Sequence, residues 1–166
     1  MSGLMVAAWE LFGFYMPVFG HSIGLSASTI GMIMGTAATA TFATRFCLPF
    51  FLRRFPQQTV LSSFMLVAAG GYVLLPLLGV AFAIAACAFV IGFGIGVAQP
   101  ISMSLAYDRS PAGRAGEVTG LRLTANNLAR IFIPMTAGSV GAFFGVAPVF
   151  WLNAGMLTVI SWMAKR

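Results

Sequence analysis

The chain has 166 residues, of which 60% are hydrophobic and 7% charged, with a formal net charge of +6. A soluble domain carries about a quarter charged residues, so this composition excludes a water-facing surface. The nine Lys and Arg sit singly or in pairs near the ends of apolar runs, which excludes a nucleic-acid patch and reads as a set of membrane-orientation signals.

Crossing a hydrocarbon core takes about 20 mostly apolar residues in a helix, and windows of that length predict six spans. The first covers roughly residues 4–20. Met-Ser-Gly-Leu at the start has neither a basic region nor a small-residue cleavage site, so it reads as part of a first span and not as a removed leader. The second, roughly 29–51, follows the polar turn Gly24 to Ser28, and the third runs over roughly 59–78. Pro76 to Gly79 break the chain before a fourth span at roughly 80–105. A hydrophilic connection with Asp108, Arg109, Pro111, Arg114 and Glu117 leads to a fifth at roughly 120–144. Residues 145–148 turn the chain into the sixth, roughly 148–163. Cys47 and Cys87 fall inside these runs and are expected to be buried free thiols.

Positive residues concentrate in cytoplasmic loops. Arg53 and Arg54 separate spans two and three, Arg109 and Arg114 separate four and five, and Lys165 and Arg166 follow six. The alternate connections, around His21, Pro76 and Ala147, hold no Lys or Arg, so both termini are expected in the cytoplasm. Grouped by threes, spans one and four become equivalent in two repeats of opposite orientation. Both carry breakers, Gly13, Pro17 and Gly20 in one and Gly92, Gly94, Gly96 and Pro100 in the other. Such interruptions are expected to line a path, because irregular backbone at membrane depth is tolerated against protein or water.

Several of these segments are similar to a known family. The stretch Arg45-Phe-Cys-Leu-Pro49-Phe-Phe-Leu-Arg53-Arg54 matches the basic loop between the second and third helices of each half of a major facilitator superfamily transporter, without that loop's usual acid and glycine. Gly92-Phe-Gly-Ile-Gly96-Val-Ala-Gln99-Pro100, the connection from Asp108 through Arg109 and Arg114 to Glu117, then Gly120-Leu-Arg122 and Asn126-Asn127 resemble the tenth helix, next loop and eleventh helix of bacterial members. Over essentially the whole chain the resemblance is to the carboxyl-terminal half. It implies an all-α membrane protein, a six-helix bundle of two inverted three-helix repeats, in a bacterial inner membrane. It also implies secondary transport of a small solute on an ion gradient, with a second six-helix half, from another chain or a second copy, needed to complete the path.

Glu10 is the one acid within a span, and a charge at that depth costs about 2.5–3.5 kcal/mol on insertion scales, so it needs compensation. Arg130 lies at a comparable depth in span five and is its expected partner. The pair reads either as a proton or substrate site or as a structural bridge. Asn126 and Arg130, four apart, share a helix face. With Asn127 close by, they are expected either to face an anion-binding cavity or to bind neighbouring helices together. Gln99 beside Pro100 has the same two readings. Glu10, Gln99, Asn126 and Arg130 are therefore the path candidates, and Arg45, Arg53, Arg54, Asp108, Arg109 and Arg114 the cytoplasmic loop set.

Tyr15, Tyr72 and His21 read as packing or interface residues. Gly31 with Gly35, Gly92 with Gly96, and Gly141 with Gly145 repeat the small-residue spacing of close helix contacts. The ten Met and sixteen Phe read as lipid-facing or core filler. The sequence holds no metal-ligand cluster, nucleophile triad or phosphate loop, so neither an enzyme, a metal nor a cofactor is expected. Two other functional readings stand beside transport through a paired half. One is a self-pairing proton antiporter of the small multidrug kind, using Glu10; the other is a non-transporting remnant or membrane scaffold.

Overall fold

A computed structural model describes residues 2–108, 110 and 113–164. Arg109, Pro111, Lys165 and Arg166, which carry part of the predicted loop set and of the topology signal, lie outside the described residues. The helices are α1 (Ser2–Ser22), α2 (Ala27–Arg54), α3 (Gln57–Leu74), α4 (Ala81–Gly96), α5 (Ala98–Asp108), α6 (Ala115–Phe144) and α7 (Val146–Ala164), with a short 3-10 turn at Leu75–Leu77. Because α4 and α5 follow one another with only Val97 between them, the bundle consists of six rods.

Local chemistry sets the rod ends. Gly24, at φ +80°, lets the Leu25 N–H reach back 2.9 Å to Gly20 O and its own N–H reach His21 O, which closes α1. Ser26 then caps α2 by accepting the Thr29 N–H at 3.2 Å. At its other end α2 stops because Phe55 precedes Pro56 and is pushed into extended backbone, φ −131° and ψ 146°. Arg53 and Arg54 thus occupy the last turn of α2, where cations complement the helix dipole. Gly145, at φ +82°, makes the one-residue connection from α6 to α7.

The two predicted broken spans behave differently. Pro17 sits inside a continuous α1, whereas the fourth rod is interrupted at Val97. Pro100 has no N–H for the Gly96 carbonyl four residues earlier, and its ring crowds that carbonyl, so α4 ends at Gly96. The Val97 N–H turns to Ile95 O, and the Phe93 carbonyl it would otherwise meet lies 3.0 Å from Thr44 Oγ1 on α2. Thr41 Oγ1 likewise stands 3.0 Å from Gly92 O. Among the described residues no hydroxyl of another helix bonds the Gly13 carbonyl four residues before Pro17, and α1 stays continuous.

Those threonine bonds need the backbones of α2 and α4 to touch. A Cβ on Gly92 would overlap the Ala37 carbonyl, and one on Gly96 would come within 3.0 Å of Thr41 O. Gly92 and Gly96 are therefore contact glycines, as their spacing predicts. Gly141 is one as well, packed on the Tyr15 ring. Gly31 and Gly35 have nothing within 4 Å and are not packed against any helix of the chain. The spacing of glycines marks a possible contact face; it does not say whether a neighbour fills it.

The five most extensive helix pairings are α2 with α4, α3 with α7, α1 with α6, α3 with α4, and α1 with α7. Exchanging the first three rods for the last three maps α2–α4 onto α6–α1 and α3–α4 onto α7–α1, and leaves α3–α7 unchanged. Two equivalent three-helix units pack about a common centre in this way.

At that centre Phe12, Met16, Met65, Tyr72 and Phe150 are almost fully buried, with the Tyr72 ring edge-on to Phe12 and stacked on Phe150. Tyr72 OH donates to Ala8 O at 2.7 Å, and Asn153 Nδ2 donates to the same carbonyl at 3.1 Å. Tyr15 OH donates to Ala137 O and joins α1 to α6. Cys87 is buried, its thiol 3.0 Å from Gly71 O, but Cys47 is exposed on α2, contrary to the expectation of two buried thiols. An apolar run locates a span, not which face each residue takes.

Large apolar side chains cover the outside; Phe82 is 83% exposed, Phe46 74% and Leu121 74%. Surface of that kind suits lipid and not water. Residues 3–22, 57–77, 81–108 and 146–164 are long and apolar enough to cross a membrane. With 28 and 30 residues α2 and α6 have the length but are more polar; Thr41 and Arg45 of α2 and Arg122 and Arg130 of α6 line one cavity.

Candidate solute cavity

A cavity of about 350 Å³ lies where α1, α2, the junction of α4 with α5, and α6 come together. Its apolar wall includes Trp9, Phe42 and Ile95; its polar wall is Thr41, Arg45, Gln99, Ser102, Arg122 and Arg130. Each polar group is placed by a feature already described. The close α2–α4 seam sets Thr41 and, one turn on, Arg45. The interruption at Val97 starts α5 afresh and brings Gln99 and Ser102 to the cavity. On α6, Arg122 and Arg130 are eight residues apart, on one face of the helix.

Arg130 Nε is 3.1 Å from Glu10 Oε1, so the pairing expected from their depths is formed, between α6 and α1. Both side chains remain partly exposed, Arg130 at 51% and Glu10 at 38%. Arg122 is held by α5 through neutral groups only: Nη2 donates to Ser102 Oγ at 2.6 Å and to Gln99 Oε1 at 3.4 Å, and Nη1 lies 2.9 Å from Met103 Sδ. Its Nε is buried without a partner. Arg45 makes no ion pair with any described residue.

The predicted site residues thus divide. Gln99 and Arg130 line the cavity, and Glu10 stands behind Arg130. Asn126 shares the face of Arg122 and Arg130 but is buried, its Oδ1 unpartnered, and does not line the cavity; Asn127 is exposed. Arg45, placed by the sequence in the loop set, is instead a cavity residue. Arg53 and Arg54 are exposed at the end of α2, Asp108 accepts from Ser104 at 3.5 Å, and Arg114 pairs with Glu117 at 2.9 Å, all apart from the cavity. Arg122 and Ser102 were missed as site residues. The spacing Arg122, Asn126, Arg130 carried a signal for the first, a polar stripe of period four; nothing marked Ser102.

An all-α bundle with an apolar exterior, membrane-length helices and a half-open cavity that holds several arginines defines a multi-pass membrane protein of the transporter kind. The family model described as Major Facilitator Superfamily matches residues 1–165, and the chain belongs to that superfamily of membrane transporters. No curated protein matches the chain.

Proposed function

We propose that this chain is the carboxyl-terminal-type half of a secondary transporter, which moves a small solute across a bacterial plasma membrane at the expense of an ion gradient. The observation that carries the reading is the arginine-lined cavity between α1, α2, the α4–α5 junction and α6 in an otherwise apolar bundle. Polar groups at membrane depth are costly and are retained where a solute or ion must pass.

In this reading all six rods cross the membrane, α2 and α6 with their polar faces on the path. Both termini and the connections at Arg53–Arg54 and 109–114 face the cytoplasm, in keeping with the distribution of Lys and Arg. A second six-helix half, on another chain or a second copy, covers the exposed side of Arg45, Gln99 and Arg130. Glu10 is the coupling group: as a carboxylate it holds Arg130, and on taking a proton it releases it, so protonation and the position of α6 against α1 change together.

A self-pairing multidrug antiporter requires an acid free to meet a cation, and Glu10 already meets Arg130. The test is uptake in proteoliposomes by the complete assembly under an imposed proton gradient. Gradient-driven uptake that falls at least tenfold in Glu10→Gln supports the reading. Uptake indifferent to that change, or none by an intact assembly, overturns it in favour of a different coupling or of a scaffold.

A further inference from the structure

The sequence contains three acidic side chains in all. Glu10 is engaged by Arg130, Glu117 by Arg114, and Asp108 lies at the end of α5 beside Ser104. Among the described residues no side-chain carboxylate pairs with Arg45 or Arg122, yet both line the same cavity. Two guanidinium groups therefore face a half-open cavity with no carboxylate paired to either.

The hydrogen bonds around them are equally one-sided. Gln99 Oε1 and Ser102 Oγ already accept from Arg122. Thr41 Oγ1 has its own acceptors, Ala37 O at 2.9 Å and Gly92 O at 3.0 Å. The charged groups of the polar wall are all donors, the guanidinium groups of Arg45, Arg122 and Arg130, and the Gln99 amide N–H and the Ser102 hydroxyl proton stand beside them. Arg122 is oriented in advance by its three contacts on α5, which lowers the ordering cost of binding. Trp9, Phe42 and Ile95 line the same cavity.

From this arrangement we infer that the cavity binds an organic oxyanion, a carboxylate or phosphate ester with a small apolar body. The charged end is held between Arg45 and Arg122, where planar guanidinium groups match an oxyanion in pairs of hydrogen bonds. The apolar body lies against Trp9 and Phe42. The inference rests on the transport reading and narrows it to a substrate class.

The test uses the full chain in nanodiscs of zwitterionic lipid, with binding followed by Trp fluorescence and thermal unfolding. Benzoate, phenyl phosphate and inorganic phosphate are the anionic probes, benzylamine and benzyl alcohol the matched controls, and sodium chloride the ionic-strength control. Saturable binding of benzoate or phenyl phosphate is expected, with inorganic phosphate weaker and the controls inactive. Arg45→Gln and Arg122→Gln should each weaken it at least tenfold. Arg45 makes no ion pair to another helix, so its variant separates binding from folding, and Arg114→Gln should leave binding unchanged. The inference is overturned if benzylamine or benzyl alcohol binds as well as benzoate, if chloride has the same effect, or if protection appears only when phosphatidylglycerol is added. A cationic or neutral ligand would leave Glu10-dependent uptake untouched, so this failure is distinct from failure of the transport reading.

Discussion

Arg130 reaches from α6 to Glu10 on α1 with Nε 3.1 Å from Oε1, and it is the one ion pair joining two helices among the described residues. Both side chains remain partly exposed, so the pair contributes little to stability, roughly 0.2–1 kcal/mol by the measure of exposed pairs. Its importance lies in position. The pair spans the α1–α6 contact, and Arg130 also lines the cavity.

Removing either charge strands the other. Arg130→Ala is expected to reduce uptake by the complete assembly at least tenfold while lowering the melting temperature only modestly. Glu10→Gln combined with Arg130→Gln should restore the melting temperature but not the uptake. Recovery of uptake in the double variant would reduce the pair to a structural bridge.

The glycines of α2 and α4 make opposite predictions. Gly92→Ala places a methyl group in the Ala37 carbonyl and should destabilise the bundle by about 1–3 kcal/mol, as overpacking does. Gly31→Ala meets open space, and alanine's better helix propensity should leave stability unchanged or raise it by up to about 1 kcal/mol. Thermal unfolding in detergent reads both.

At the centre, Ala8 O accepts from both Tyr72 and Asn153. Tyr72→Phe leaves the carbonyl with one donor and should cost about 0.5–1.5 kcal/mol. Adding Asn153→Leu removes the second donor and should cost more than the two single changes summed, since only then does the carbonyl lose both side-chain donors. Additive melting shifts would show that the two bonds act independently.

The thiols should differ in reactivity. N-ethylmaleimide is expected to modify Cys47 in the folded protein in mild detergent, and Cys87, held against Gly71 O, only after denaturation in SDS. Mass spectrometry of the labelled chain would distinguish them, and equal labelling of both before denaturation would contradict the packing of α3 against α4.

Reporter fusions test the orientation. A periplasmic reporter inserted at Gly24 or Gly79 should be active, and one placed at Gly113 or after the last residue inactive. The reverse pattern would invert the proposed topology.

Composition and periodicity alone determine much of this protein. Seven per cent charge and long apolar runs require lipid as solvent and helices as the only backbone that satisfies itself there. The turn residues, Gly24, Pro56 and Gly145, mark ends that local geometry enforces. Even the Glu10–Arg130 pair is legible, because a lone acid at membrane depth needs a cation at matching depth. What local pattern does not carry is the rotation of each helix about its axis. Gly31 and Gly35 have the same spacing as Gly92 and Gly96, yet only the latter meet a neighbour; Cys47 and Cys87 lie in equally apolar runs, yet only one is buried. For the same reason the tertiary structure decides that Arg45 and Arg122 join Arg130 around one cavity while Asn126 is buried and does not line it, because a site shared by several helices exists only after those helices have packed.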